Sequence, residues 1–288
     1  MTAAVAGGLA FPECPRWRDG ALWFSDIATG TVHRLRNNGS VETIVGSIDR
    51  AAGLGWLPNG ELLIAAGTER RLLRHDGLAV ALHADLSGLA EHCCNDMLVD
   101  TRGRAWVGNW GFDYAAGETP RPASLLRVDA DGSVHVAAGE LMFPNGMAIT
   151  PDGGTLIVAE TFAARLTAFT IAPDGTLSDR RVWAALRPAT ADGICLDAAG
   201  AVWLASPTTG EVLRVLEGGA VTQRIVAPEQ PLAVVLGGPD RRTLYIASSH
   251  LFDRVEGRTA FTGREQLRKQ RRGRIDSVQV EVAGAGWP

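Results

Sequence analysis

The chain has 288 residues and a formal net charge of −4, with 46% hydrophobic and 21% charged residues. This length allows a large buried core, and the interspersed charges are those of an ordinary globular protein without a basic surface for nucleic acid. No segment approaches the roughly 20 consecutive apolar residues of a membrane-spanning helix.

Six similar units follow one another along the chain, and each consists of a turn followed by a short apolar run. The runs read ALWFSD, ELLIAA, RAWVGN, TLIVAE, AVWLAS and TLYIAS, with turn markers at residues 20, 60, 103, 153, 200 and 241. Turn-forming Gly, Asp and Pro followed by β-branched and aromatic side chains predict a strand. A second, more regularly alternating strand follows most of them, as at Thr31–Leu35 and Arg165–Ile171.

A period of 40 to 50 residues made of short antiparallel strands is typical of a β-propeller. We therefore predict an all-β chain in which residues 1–288 form a single six-bladed β-propeller domain. A β-sandwich is the alternative, but it predicts no self-similar unit. We expect residues 274–282 to finish the last blade, residues 250–272 to form a surface excursion, and the basic cluster Arg264–Arg274 to be a solvated loop or lid edge.

One position recurs seven or eight residues before each turn marker. Its occupants are Glu13, Ala52, Asn95, Asn145, Asp192 and Ala233. Because the innermost strands of a propeller line its channel, these positions should face a common axis. Four of the six carry oxygen donors, which predicts an axial site for a hard divalent cation. Turn capping by Asn and Asp is the alternative, but it explains poorly a glutamate between Pro12 and Pro15.

Four separated motifs resemble those of one known family. They are FPECPRW at 11–17, NDMLVD at 95–100 with GRAW at 103–106, FPNGMAITPDG at 143–153 and DGICLDAAGAVWLAS at 192–206. The family is the gluconolactonase, regucalcin (senescence marker protein) and luciferin-regenerating-enzyme group, and the likeness extends from about residue 10 to residue 250. The resemblance implies a six-bladed propeller with one divalent cation on its axis.

The resemblance also assigns roles by motif position. It implies that Glu13, Asn145 and Asp192 are metal ligands, and that Asn95 contacts the substrate or completes the metal shell. It places an acidic substrate contact at Asp113. The chain departs from the family at Cys93, where sugar-lactonase members carry arginine, because a thiol lacks the charged, fixed fork of a guanidinium.

The expected activity is metal-dependent opening of a lactone, with the cation activating the carbonyl and water and Asp192 as general base. Ca²⁺ is the first candidate, with Zn²⁺, Mn²⁺, Mg²⁺ and Fe²⁺ as alternatives. The loop residues Trp110, Phe112 and Phe143 would favour a lactone less polar than a sugar lactone. The alternatives are an aryl-esterase or phosphotriesterase-type hydrolase on the same propeller, and a non-catalytic ligand-binding propeller.

The cellular location is predicted from the N-terminus and the cysteines. The N-terminal MTAAVAGGLAFPECP has no basic segment followed by an apolar one, as a signal peptide would. The four cysteines lack metal-binding spacing and the density of a disulfide-stabilised secreted domain. We expect a cytoplasmic protein with a small lactone or ester as its partner, and neither nucleic acid nor membrane.

Overall fold

The structure is a computed structural model that describes residues 2–36, 38–114, 116–255 and 258–286, without the side chains of residues 253–260. It contains six four-stranded antiparallel sheets, which are the six blades of the predicted β-propeller. The prediction of an all-β fold is therefore confirmed. One helix of seven residues is the single helical element of the described residues.

The N-terminal strand β1 (Ala3–Leu9) precedes the strands of the first three blades. Blade one consists of β2 (Pro12–Arg18), β3 (Ala21–Asp26), β4 (Thr31–Leu35) and β5 (Val41–Val45). Blade two consists of β6 (Ala51–Trp56), β7 (Leu62–Ala66), β8 (Arg71–His75) and β9 (Val80–Asp85). Blade three consists of β10 (Cys94–Val99), β11 (Ala105–Asn109), β12 (Ala123–Val128) and β13 (Val134–Leu141).

The remaining blades complete the ring, and the last one contains an insertion. Blade four consists of β14 (Pro144–Ile149), β15 (Thr155–Glu160), β16 (Arg165–Ile171) and β17 (Leu177–Ala185). Blade five consists of β18 (Ile194–Leu196), β19 (Val202–Ser206), β20 (Glu211–Val215) and β21 (Val221–Val226). Blade six and its insertion contain β22 (Gln230–Gly237), β23 (Thr243–Ser249), β24 (Phe252–Val255), β25 (Arg258–Phe261), α1 (Arg264–Gln270) and β26 (Gly273–Gln279).

Blade six is assembled from both ends of the chain. Its strand order is β22–β23–β26–β1, and Ala3 of β1 lies opposite Ser277 of β26. The stretch expected to finish this blade is thus its third strand, and the outermost strand comes from the N-terminus. The prediction missed β1 because its small residues give no clear apolar alternation.

The innermost strands of five blades contain a register slip near the same end of the channel. In blade one, Glu13 lies opposite Ser25, and the pairing then slips by one residue before Arg16 lies opposite Trp23. Blades two, three, four and six also contain a slip near this end. We call the position of Glu13 in each blade the ring position. Its occupants are Glu13, Ala52, Asn95, Asn145, Asp192 and Ala233.

Blade six differs from the other blades in where its slip lies. Ala247 is the fifth residue of the run TLYIAS, as Ser25 is of ALWFSD, and it lies opposite Ala233. The slip of blade six comes before this pair, between Pro231 and Ala233. Like Ala52, Ala233 supplies no oxygen donor from its side chain.

Glycine follows the ring position where adjacent blades approach most closely. A Cβ added to Gly146 would lie 2.5 Å from the Ile194 nitrogen, and one added to Gly193 would overlap Ala233. The blades are also joined directly, because Gly146 N–H donates to the Asp192 carbonyl at 3.3 Å and Gly193 N–H to the Leu232 carbonyl at 2.7 Å. These contacts keep the ring positions close to one axis.

A buried arginine joins three blades beneath the ring positions. Arg16 of blade one donates to Asp96 at 2.8 Å and to the Met97 carbonyl at 2.5 Å in blade three. It also donates to the Leu54 carbonyl of blade two at 3.1 Å. Arg16 and Asp96 are both buried, so each charge depends on the other for compensation.

The insertion in blade six forms the hairpin β24–β25 and helix α1. Arg264 and Arg268 of α1 both donate to the Ala28 carbonyl, at 2.9 and 2.5 Å. The basic cluster therefore begins with a helix docked on blade one and not with the loop that was predicted, although most of its side chains are exposed as expected. Among the described residues, no helix is long and apolar enough to span a membrane.

The close approach at Gly146 gives a prediction for stability. We expect Gly146→Ala to lower the free energy of unfolding by about 1–3 kcal/mol, because the new methyl group meets the backbone of blade five. Gly139→Ala is the matched control, since nothing lies within 4 Å of its added Cβ, and we expect a change within about 0.5 kcal/mol. Thermal melting followed by circular dichroism measures both, and equal melting temperatures would show that the blades separate at little cost.

Candidate active site

One large cavity opens at the end of the channel that carries the ring positions. Its volume is about 860 Å³. Four of the side chains predicted for the site, Glu13, Asn95, Asn145 and Asp192, line it together, although they come from four blades. The four side chains that were selected from the sequence repeat therefore lie together in the folded protein.

We call the part of the cavity formed by Glu13, Asn95, Asn145 and Asp192 the cavity floor. A chain of hydrogen bonds links blades three, four and five there. The Asn95 Nδ2 group donates to Asn145 Oδ1 at 2.9 Å, and Asn145 Nδ2 donates to Thr161 Oγ1 at 3.2 Å. The Thr161 hydroxyl in turn donates to the Ala191 carbonyl, next to Asp192, at 2.8 Å. Each carboxamide thus has a fixed orientation, with one lone pair of the Asn145 oxygen left for another partner.

The two carboxyl groups of the floor are buried and act on one another. Glu13 and Asp192 are 7% and 8% exposed. Burial and then the charge of Asp192 raise the pKa of Glu13 well above its usual value. Burial and then the charge of Asp96 raise the pKa of Asp192 to about 8, although a hydrogen bond from Asn145 opposes the shift. Neither carboxyl forms an ion pair with a described residue, so the floor gains an excess of negative charge when both groups lose their protons.

The donor atoms of the floor fit a hard cation. All of them are oxygens, from two carboxylates and two carboxamides, and a cation would relieve the repulsion between Glu13 and Asp192. The described residues contain no group of three or more His, Cys, Asp and Glu side chains placed to hold a metal ion. The set at the floor has only two such side chains and needs the carboxamide oxygens of Asn95 and Asn145 to be complete.

Aromatic side chains form one wall of the cavity. The rings of Trp110 and Phe143 stack with centroids 5.9 Å apart, and Tyr114 and Phe162 line the cavity beside them. Phe112, which was expected at the mouth, is fully buried behind this wall, with its centroid 5.4 Å from that of Phe162. The wall excludes water from one side of the floor and strengthens electrostatic interactions there.

The insertion of blade six closes part of the cavity mouth. Leu251, Phe252 and Phe261 line the cavity, and the ring of Phe261 lies 5.1 Å from that of Tyr114. The hairpin that was expected to be a surface excursion thus contributes apolar surface to the site.

Comparison with known proteins places the chain. The family described as the SMP-30/gluconolactonase/LRE-like region matches residues 11–250. The chain belongs to the SMP-30/gluconolactonase/LRE-like family. The resemblance inferred from the four sequence motifs is therefore confirmed.

Proteins similar to this chain include two lactonases and a calcium-binding protein. The 6-deoxy-6-sulfogluconolactonase of Pseudomonas putida is 35% identical over 82% of each chain. A pentonolactonase of Haloferax volcanii is 27% identical over 86% of this chain and 85% of its own. The crystal structure of the calcium-binding protein regucalcin from Agrobacterium tumefaciens superposes with a TM-score of 0.81 at 23% identity, covering 100% of this chain and 97% of that one.

Asp113 does not line the cavity, although membership of the SMP-30/gluconolactonase/LRE-like family implies that it contacts the substrate. Its Oδ1 accepts a hydrogen bond from the Ala116 N–H at 2.9 Å, and its Oδ2 lies 3.9 Å from His92 Nε2. It therefore stabilises the loop behind the aromatic wall, and its contact with substrate stays a prediction.

The last residue of the second strand supports the site from behind in blades one, three, four and five. Asp26 accepts from the Ala10 and Phe11 N–H groups at 2.8 and 3.1 Å, just before Glu13. Glu160 accepts from the Met142 N–H at 2.8 Å, three residues before Asn145. Asn109 and Ser206 hold the His92 and Thr190 N–H groups in the same way, before Asn95 and Asp192.

These supporting residues were missed in the sequence, although a signal was present. The strand sequences ALWFSD, RAWVGN, TLIVAE and AVWLAS end in a polar residue, and each belongs to a blade with an oxygen donor at the ring position. The run TLYIAS is the exception, because it ends in Ser248 although its blade has no such donor. The run ELLIAA ends in Ala66, and the ring position of that blade is Ala52. In a strand that is otherwise buried, a polar final residue indicates a backbone partner near the site.

Glu160 gives the second prediction. Burial would raise its pKa, but hydrogen bonds from Arg165, Thr167 and the Met142 N–H outweigh burial and lower the pKa below its usual value of 4.5. Because the pKa is lower in the folded state, the carboxylate stabilises the fold above the unfolded-state pKa, and this contribution is lost as the pH falls through the folded-state value. We expect Glu160→Gln to cost about 1–3 kcal/mol at pH 7 and progressively less below about pH 4.5.

Melting temperatures of Glu160→Gln and wild type between pH 3 and pH 8 measure this difference. Glu217→Gln is the matched control, because Glu217 forms an exposed ion pair with Arg181 at 3.4 Å and supports no strand of the site. A loss of stability that is the same at every pH would mean that the charge of Glu160 contributes nothing.

Proposed function

We propose that the protein hydrolyses a lactone with the help of one divalent cation held by Glu13, Asn145 and Asp192. The observation that carries this proposal is the pair of buried, uncompensated carboxyl groups beside fixed carboxamides at the floor of a large cavity. The names of the lactonase relatives support the reaction class. Ca²⁺ is the first candidate, because all donors are hard oxygens and one structural relative is described as calcium-binding.

When bound, the cation would polarise the lactone carbonyl and lower the pKa of a water molecule beside it. Asp192 is the proposed general base, since a carboxylate has a second oxygen that can accept a proton from the attacking water. Asn95, held by its hydrogen bond to Asn145, would orient the substrate through its remaining amide groups. Water adds to the carbonyl carbon and the ring C–O bond breaks, and the proton taken up by Asp192 is returned to the leaving oxygen to give a hydroxy acid.

The aromatic wall favours a second candidate. Trp110, Tyr114, Phe143 and Phe162 suit the aromatic part of an aryl ester as well as the face of a lactone ring. A panel of sugar lactones, aliphatic lactones and aryl esters separates the two candidates by kcat/KM. Binding of these compounds without turnover would instead favour a ligand-binding propeller.

Removal of the proposed base gives the third prediction. We expect chelator treatment to abolish lactonase activity, and one divalent cation to restore it. Asp192→Asn should lower kcat by about 10²–10⁴-fold even at saturating cation, because an amide cannot accept the proton. Asp152→Asn is the control, since Asp152 caps an exposed turn through the Gly154 N–H at 3.0 Å. Full activity after complete removal of metal would refute the proposal.

Proton release gives the fourth prediction. Because the pKa of Asp192 is raised to about 8 and that of Glu13 is also raised, the metal-free protein holds protons at neutral pH that its cation complex must give up. We expect cation binding at pH 7 to release about one proton or more, and the affinity to rise with pH until about pH 8. Titration calorimetry in buffers of different ionisation enthalpy counts these protons, and identical heats in all buffers would contradict the assignment of ligands.

A further inference from the structure

A second charged group, Arg50, enters the cavity from blade two. It lies two residues before the ring position of its blade, which is occupied by Ala52, and its side chain lines the cavity. Its backbone has the left-handed φ of 54°, and its carbonyl accepts a hydrogen bond from the Gly67 N–H at 3.1 Å. A Cβ on Gly67 would lie 3.2 Å from the Arg50 Cβ and 2.9 Å from the Cys94 carbonyl oxygen. Glycine at 67 therefore allows Arg50 to take this unusual conformation.

The Arg50 guanidinium lies on the aromatic wall. Its central carbon is 4.5 Å from the centroid of the Trp110 ring, a distance that gives a cation–π contact. Trp110 is held in turn by the rings of His92 and Phe143, with centroid distances of 5.7 and 5.9 Å. The guanidinium is therefore positioned by a rigid aromatic stack and not by a flexible loop alone.

The hydrogen-bonding groups of this guanidinium face no acceptor among the described residues. Four charged or titratable groups act on it: Cys93, Arg264, Asp49 and Asp113. The Asp49 carboxylate is held by Arg264 at 2.5 Å, and the Asp113 carboxylate accepts from the Ala116 N–H at 2.9 Å. Burial lowers the pKa of Arg50, but a guanidinium remains charged at neutral pH. A half-buried cation without an acceptor is costly unless a ligand supplies one.

The charges in the cavity also indicate that its ligand carries an anionic group. A divalent cation would balance Glu13 and Asp192, and Asp113 would offset one of the charges of Arg50 and of the exposed Arg187 at the rim, so that one positive charge would be left over. A neutral lactone leaves this excess uncompensated, whereas an oxyanion accepts two parallel hydrogen bonds from one guanidinium.

We propose that Arg50, held on the face of Trp110, forms a subsite for an oxyanion of the substrate, so that the lactone carries a carboxylate or sulfonate group away from its ring carbonyl. This proposal rests on the proposed lactonase function. It places the reacting carbonyl at the Glu13–Asp192 floor and the anion at the blade-two side of the cavity. It also gives Cys93 a role as the small neighbour beside which the Arg50 side chain is accommodated.

The test compares lactones that differ only in charge. The substrates are gluconolactone, its 6-deoxy-6-sulfo derivative and the matching 6-carboxylate, each assayed by kcat/KM with wild type, Arg50→Met and Arg50→Lys. We expect wild type to prefer the two anionic lactones, and Arg50→Met to lower the ratio of anionic to neutral kcat/KM by about 10- to 100-fold. Arg50→Lys should keep part of the preference, because it retains a charge but loses the fork and the stacking on Trp110.

Arg224→Met is the matched control, because Arg224 forms an exposed ion pair with Glu211 at 2.9 Å on blade five and does not line the cavity. It should leave the ratio at the wild-type value. A wild-type enzyme with no preference for anionic lactones, or an Arg50→Met variant that loses activity equally on charged and neutral lactones, would overturn the subsite.

A binding experiment separates this proposal from the lactonase proposal. Titration calorimetry of the cation-loaded protein with the ring-opened 6-deoxy-6-sulfogluconate needs no turnover. Binding that is weakened about 10-fold or more in Arg50→Met would support the anion subsite even if no lactone were hydrolysed. Equal binding to wild type and Arg50→Met would reject it, whatever the lactonase assays give.

Discussion

The site depends on the close approach of neighbouring blades just after the ring positions. Glycine follows the ring position in blades two, four and five, as Gly53, Gly146 and Gly193, and lets the next blade lie against its backbone. At Gly146 and Gly193 the backbones of neighbouring blades are hydrogen-bonded to one another, so the residues they carry cannot drift apart. Four side chains from distant parts of the sequence thereby share one cavity floor.

This geometry concentrates polar groups where the fold would otherwise be apolar. Arg16 and Asp96 compensate one another below the floor, whereas Glu13 and Asp192 above them form no ion pair with a described residue. Burial and the charge of a neighbouring carboxylate raise the pKa of both acids, which favours their protonated forms. The network behind the floor, from Asp26 to Ser206, explains how the loops keep their position despite the repulsion between the two acids.

The sequence predicted most of this architecture because the repeat is regular and the motifs are specific. The six blades and the cavity-lining positions of Glu13, Asn95, Asn145 and Asp192 followed from counting turns. The turns did not predict where the slip of blade six lies, which is before Ala233 and not after it.

Other features were not accessible from local patterns. β1 pairs with a strand more than 250 residues away, as Ala3 opposite Ser277, and nothing in its composition indicates that partner. The importance of Arg50 depends on which acids are already engaged around it, namely Asp49 with Arg264. These contacts form only when the blades are assembled, so no local sequence pattern predicts them.

The joining of β1 to β26 has a consequence for the order of folding. Because synthesis proceeds from the N-terminus, β1 is made long before its partner β26. It therefore remains an unpaired strand while five blades form. Closing the ring then requires a contact of very high sequence separation, which is entropically slow. The cavity floor joins Glu13 of the first blade to Asp192 of the fifth, so the complete site exists only after this late closure.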